Sequence, residues 1–447
     1  MYQKKGEITV LLSLIFVLLI SFILTISESA SMQMSKNMSR LNVDRAIFSV
    51  FGEYQKELLE EYEIFAFDSS YGSGNFSKEL VQKRLAYYGS VEIDQEITDI
   101  QFLTDNQGQA FREAVLSYME SRTGIESLRG LTGLTQEWQE QSVTGAEISE
   151  EMNQSLIEFG DLLPEASSLI QGISGDGMFT LVLPDNFQIS GKSIHLSQQI
   201  FGRVKNTGWG SFPARQNVNG AAEKILFQSY LLEKFSNAAE VKGTGRSLDY
   251  EIEYMLCGKE SDKENLREVV EQILFFRLAM NYLYLQTDID RQQEAATLAT
   301  TLSIVILHPE MEEAIKQLLL VLWGFGESIM DVRSLLSGNK VPLSKSDETW
   351  QLTLSSLLKI GSSEDNIDGK DVTNGMSYSD YLQILLYLES GENLTMRALD
   401  RIEQNLMIEK GIPSIKMDHC VTKIKLSNTF KSAAGFSYTF PTYYGYL

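Results

Sequence analysis

The chain opens on an apolar run. From Ile8 to Ser27 twenty residues pass without a charge, about the length a helix needs to cross the hydrocarbon core of a bilayer. Leu, Ile, Val and Phe surround this helix on all sides, which leaves no polar face. The pattern then changes. Met38, Leu41, Phe48, Phe51, Tyr54, Leu58 and Tyr62 follow at steps of three, four and seven, the spacing of one face of a helix. Arg40, Asp44, Arg45, Glu53, Lys56 and Glu57 fall largely between them. The pattern predicts a membrane helix that continues outward as an amphipathic one, with Gly52 able to interrupt it.

Beyond this stretch short periods alternate with long ones. Alternation predicts strands at Tyr62–Phe67, Val91–Leu103, Tyr250–Leu256, Cys420–Leu426 and Phe436–Phe440, the second with one slip of phase. Helical spacing marks 76–88, 108–122, 135–163, 221–239, 291–307 and 309–336, then the pair Tyr378–Leu388 and Thr395–Ile408. Ser261-Asp262-Lys263-Glu264 forms a capping box ahead of another helix, with Leu266, Val269, Ile273, Phe276, Met280 and Leu283 on one face. Trp350–Leu358 fits helix or strand. Glycines crowd 171–222. The expected fold class is α+β: an N-terminal transmembrane helix continuing into an amphipathic helix, then mixed helices and short sheets. The expected divisions are a leader at 1–6, a span at 7–27, an exported α+β region at 28–165, a glycine-rich connection at 166–246 and a second α+β region at 247–447.

Charge narrows the partners. The net charge is −22, which opposes contact with nucleic acid, whose phosphates call for basic patches. The expected contacts are a lipid bilayer through residues 7–27 and other envelope proteins. Lys4 and Lys5 directly precede the span. Such residues collect on the cytoplasmic side, so the bulk of the chain is expected outside the cell membrane. A removed secretory signal is the alternative, but its apolar core is shorter. Cys257 and Cys420 either form one disulfide or are two buried thiols.

Several stretches together carry a resemblance. They include Lys5-Gly6-Glu7-Ile8-Thr9-Val10, Ile26-Ser27-Glu28-Ser29-Ala30, Glu60-Glu61-Tyr62-Glu63-Ile64-Phe65, and Cys257-Gly258-Lys259. Asn265-Leu266, Arg277, Asn281, Trp323, Glu327-Ser328-Ile329, Asp331-Val332-Arg333, Lys345, Trp350, Ser377-Tyr378-Ser379-Asp380-Tyr381-Leu382, Arg397 and Asp400 continue the set. The chain resembles an uncharacterised family of TadE/TadG-like exported membrane proteins of Firmicutes, often linked to tight-adherence (Tad/Flp) pilus loci. The resemblance implies a pilin-type leader cut between Gly6 and Glu7, and partners among pilus-assembly proteins. One position departs: pilin-type leaders carry glutamate five residues past the glycine, and here that residue is Leu11. The departure favours a free anchor over a packed filament subunit.

Candidate chemistry is sparse. His195, His308 and His419 are scattered, and no zinc spacing joins them. Glu364–Asp371 resembles a calcium loop, but the position of its closing bidentate glutamate is Gly375. No phosphate loop, dinucleotide fingerprint or nucleophile elbow is present, and no cofactor is expected. Trp323, Glu327 and Asp331 stand four apart on one helix face. Such a carboxylate pair serves acid–base chemistry or is held structurally by Arg333, Lys345 or backbone N–H groups of a following loop. With nothing to complete a catalytic set, the structural role is expected and no enzyme activity. The alternative is an anchored hydrolase or sugar-binding protein acting on the cell wall. The C-terminal aromatics Phe436, Tyr438, Phe440, Tyr443, Tyr444 and Tyr446 are expected to pack on the sheet rather than form an interface.

Overall fold

The computed structural model describes residues 3–89, 93–122, 131–159, 177–214, 220–357, 359–360, 371–431 and 435–446. The protein is α+β, with many helices and, among the described residues, one small antiparallel sheet. It divides into two compact units, Met1–Asn106 with Lys205–Ala214 and Pro413–Leu447, and Gln107–Val204 with Arg215–Ile412.

The first unit is built on α1, a single helix of 49 residues, Gln3–Phe51, about 74 Å long at 1.5 Å per residue. Its apolar portion is long and apolar enough to cross a membrane, and the most apolar window has no buried residue. From Ser39 onward one face turns inward: Val43, Ala46, Ile47, Val50 and Phe51 are buried. The helix stops where Gly52 stands, whose N–H closes the last turn on the Phe48 carbonyl at 2.9 Å. Short helices α2 (Lys56–Tyr62) and α3 (Lys78–Tyr88) follow.

The inward face of α1 packs on the sheet. β3 (Cys420–Lys431) pairs with β1 (Phe67–Asp68), β2 (Ile93–Phe102) and β4 (Ser437–Gly445), in each case antiparallel. Ile97 lies opposite Leu426 and Ile100 opposite Ile424, with a register shift between Ile97 and Asp99. That shift is the phase slip seen in the alternation, since a bulge moves every later side chain to the other face. The stretch 205–214 caps the edge by an isolated bridge between Trp209 and Ile100. The C-terminal aromatics complete the core: the Phe51 ring stands 4.7 Å from that of Tyr444 and 4.8 Å from that of Tyr446. The Tyr446 hydroxyl donates to the Phe51 carbonyl at 2.5 Å. Tyr443 alone among them is half exposed.

The second unit is helical. In order come α4 (Asp105–Arg122, whose first two residues fall in the first unit), α5 (Leu131–Phe159), α6 (Gly177–Leu181), α7 (Ala221–Lys234) and α8 (Glu251–Cys257). Then follow α9 (Asp262–Thr287), α10 (Ile289–Val305), α11 (Glu312–Leu336), α12 (Leu354–Leu357), α13 (Tyr378–Leu388) and α14 (Gly391–Ile408). Ser261 caps α9 by accepting from the Glu264 N–H, and Ser377 with Asp380 forms a full capping box on α13.

Two expected strands differ. Residues 62–67 end a helix and enter only a two-residue strand. Tyr250–Leu256 is helix α8, not strand. Glu251, Ile252, Glu253, Tyr254 and Met255 are all buried, so both faces are covered and alternation carries no information there.

Gly145 marks a close helix crossing. A Cβ at this position would lie 1.8 Å from the Phe275 carbonyl oxygen on α9. By helix propensity alone Gly145→Ala would gain up to about 1 kcal/mol. The crossing reverses the sign: a loss of about 1–3 kcal/mol is expected from forced separation of packed helices. Urea titration of the full-length protein in detergent measures it, and a stabilised variant would contradict the crossing.

Candidate functional site

The carboxylate face lies at the centre of the second unit. Helix α11 sets Trp323, Glu327 and Asp331 on one side at successive turns, all buried. Opposite them α9 presents Arg277 and Asn281, also buried. The third wall is an irregular segment, 342–352, which carries Lys345 and Trp350.

Every carboxylate oxygen here has a donor. Glu327 Oε1 accepts from Lys345 Nζ at 2.6 Å and from the Gln351 N–H at 3.0 Å. Its Oε2 accepts from the Leu352 N–H at 2.9 Å. Asp331 Oδ1 accepts from Lys345 Nζ at 2.6 Å, and Oδ2 from Arg277 Nε and Asn281 Nδ2, both at 2.9 Å. Arg277 donates further to the Pro342 and Leu343 carbonyls at 3.0 and 2.8 Å. The Trp323 and Trp350 indole N–H groups both reach the Leu352 carbonyl, at 3.0 and 2.7 Å.

Two cations face two anions, so the quartet is neutral when all four are ionised. Burial pushes the Glu327 carboxyl up, and the neighbouring Asp331 charge adds to this against the pull of Lys345. Burial also acts to raise Asp331, but Arg277 and Lys345 outweigh it and hold that carboxyl below its ordinary range. The arrangement fastens a segment without ladder bonds of its own: its backbone groups, costly to bury unpaired, end on buried charges.

The same device recurs around α8. Glu251 accepts from the Ser236 N–H at 2.9 Å, from Arg246 Nη1 and from Asn405 Nδ2. Glu253 accepts from the Ala238 N–H at 2.8 Å and the Tyr378 hydroxyl at 2.9 Å through Oε1, while its Oε2 is buried without a hydrogen-bond partner. Asp400 accepts from the Ile200 N–H at 2.5 Å and the Tyr254 hydroxyl at 2.9 Å. Burial drives the Glu253 carboxyl up to about 7 and that of Asp400 up to about 6.

Of the residues singled out from sequence, Trp323, Glu327 and Asp331 come together with Lys345. Arg333 does not join them; its Nε donates to the Leu181 carbonyl at 2.8 Å. Arg277, Asn281 and Ser328 complete the cluster; all three stand among the residues that carry the resemblance, and the spacing of Arg277 and Asn281 puts them on one helix face. Gly6 lies in α1, and Glu7 is exposed on it. The faint calcium loop falls outside the described residues up to Lys370, and Asp371 accepts from the Lys340 N–H at 2.9 Å. His419 is buried with Nε2 2.6 Å from Asn206 Nδ2, and His308 is exposed beside Glu310. Among the described residues no group of three His, Cys, Asp or Glu could hold a metal. Cys257, in helix rather than strand, and Cys420 are free thiols.

Fold and cluster together define an α+β protein with one long apolar N-terminal helix and a core fastened by buried ion pairs. The chain matches the model of DUF5702, a family of unknown function, over residues 164–432, and it belongs to that family. No curated protein and no solved structure matches it.

Proposed function

We propose that this is a single-pass envelope protein whose bulk faces outward. It works by protein–protein contact as a pseudopilin-like or accessory component of a tight-adherence-type pilus or secretion system. One observation carries the reading. Helix α1 runs unbroken from an apolar part with no buried residue in its most apolar window into a part whose inner face is the core of an antiparallel sheet. The apolar part and the part packed on the sheet are thus one helix. Lys4 and Lys5 ahead of the span support the outward orientation.

Beyond the span α1 keeps a second apolar stripe. Met34, Met38, Leu41 and Phe48 are exposed at steps of four, three and seven. By helix geometry this stripe lies roughly opposite the buried Val43, Ala46, Ile47 and Val50. Exposed apolar stripes of this kind mark contact surfaces. Leu11 needs no intramembrane partner, unlike a buried glutamate, which suits an accessory subunit. A wall-acting hydrolase gains no support from Glu327 and Asp331, whose side chains are fully buried and saturated with donors.

Protease added to intact wall-stripped cells tests the reading. Degradation of the body with survival of a short membrane-embedded fragment is expected. Protection until the cells are lysed would reverse the orientation and remove the role. Mass spectrometry of the mature N-terminus then separates the two versions: a chain beginning at Glu7 indicates pilin-type processing, and one retaining Gly6 indicates a plain anchor.

A further inference from the structure

The hairpin of α10 and α11 ends in an aliphatic tip. Helix α10 buries only small residues, Ala295, Ala299 and Ser303. The chain then turns through Ile304, Val305, Ile306 and Leu307, of which Ile304, Val305 and Leu307 are 59%, 72% and 82% exposed. The turn is a Schellman closure: the Leu307 N–H reaches the Ile304 carbonyl at 3.1 Å and the His308 N–H the Ser303 carbonyl at 3.0 Å. Leu307 occupies the left-handed position with φ 63°. Glycine suits that position because a Cβ is penalised there. The fold therefore gains nothing from this leucine, which is strained in its backbone and leaves its side chain in water.

What surrounds the tip selects its partner. Between Thr301 and Lys316 stand Glu310, Glu312 and Glu313 against one lysine, Lys316. That lysine is already engaged by Glu313 at 3.5 Å, and His308 by Glu310 at 2.8 Å. Glu310 and Glu313 are exposed. An acidic rim repels anionic lipid headgroups, whereas an apolar pocket with a basic rim complements both the aliphatic centre and the charge.

We propose that Ile304, Val305 and Leu307 form a docking knob for a partner protein that offers an apolar pocket edged by lysine or arginine. The proposal stands apart from the anchoring reading, because it rests on the second unit alone.

The test places a benzophenone amino acid at Val305 of the full chain in living cells, with irradiation and mass spectrometry of the adduct. The expected result is a protein adduct whose crosslinked peptide is apolar with flanking Lys or Arg. Its yield should fall at least about tenfold with Leu307→Gly, the size of loss typical of an interface anchor, and likewise with Glu310→Lys combined with Glu313→Lys. Leu307→Gly should leave the melting temperature of the purified full chain unchanged or raised, which separates lost docking from lost folding. An adduct with lipid only, with a second copy of this chain or with an acidic peptide overturns the proposal. So does the absence of any adduct, or a yield indifferent to these substitutions. A lowered melting temperature for Leu307→Gly overturns its premise.

Discussion

Asp331→Ala is expected to cost about 3–5 kcal/mol, the loss seen when one member of a buried ion pair is removed. The carboxylate receives Lys345, Arg277 and Asn281 at 2.6–2.9 Å. Without it two buried cations face a single remaining anion, Glu327. The segment 342–352 then loses one of the two charges that fix Lys345 and the partner that holds Arg277 against its carbonyls. Urea titration of the full-length protein in detergent measures the loss, and tryptophan emission reports it locally, since Trp323 and Trp350 stand 6.0 Å apart beside the cluster. A loss below about 1 kcal/mol would show the quartet to be solvated. Replacing all four charged side chains by apolar ones leaves no charge unpaired, but it strands the Gln351 and Leu352 N–H groups and the Pro342 and Leu343 carbonyls, so it too is expected to destabilise the fold.

The second large effect belongs to Glu253 and is a matter of pH. Its carboxyl titrates near 4.5 in the unfolded chain and is raised to about 7 in the fold, chiefly by burial. The folded protein therefore binds this proton more tightly. The stability it contributes is complete below pH 4.5 and is lost as pH rises through 7. The difference is about 3 kcal/mol, at about 1.4 kcal/mol per pKa unit. Glu253→Gln keeps an oxygen for the Tyr378 hydroxyl and the Ala238 N–H while removing the charge. The variant should gain about 3 kcal/mol over the wild type at pH 8 and nothing at pH 4. Melting curves across that range check it; parallel curves for the two proteins would mean that the carboxylate finds solvent. Asp400, raised from 3.8 to about 6, adds a smaller window of the same sign.

Much of the first unit was legible because its signals are local. The long apolar helix needs only composition, and α1 ends where Gly52 stands. The phase slip in β2 is present in the alternation itself. The stripe of Trp323, Glu327 and Asp331 follows from helix geometry, but Arg333, expected to hold it, stands two residues from Asp331 and off its face, and donates to the Leu181 carbonyl instead. What stayed hidden is non-local. Nothing near Arg277 tells that it meets Asp331, 54 positions away. Helix α8 was misread because its carboxylates look like solvent-facing residues of a strand. In the fold they point inward to the N–H groups of Ser236 and Ala238, and burial on every side erases the period. Gly145 reads as a weak point in a helix until Phe275 is seen against it.

The unbroken α1 has a mechanical consequence. In the proposed anchored state, the sheet packed on the far end of α1 would move with the apolar stretch rather than independently of it. From Val17, near the middle of the apolar stretch, to Phe51 is about 51 Å along the axis. A change of tilt by about 20°, within the range natural spans adopt as bilayer thickness varies, would swing Phe51 sideways by roughly 17 Å. Lipid thickness would thereby set where the sheet stands above the membrane, as a lever translates a small rotation at its pivot into a long stroke at its tip.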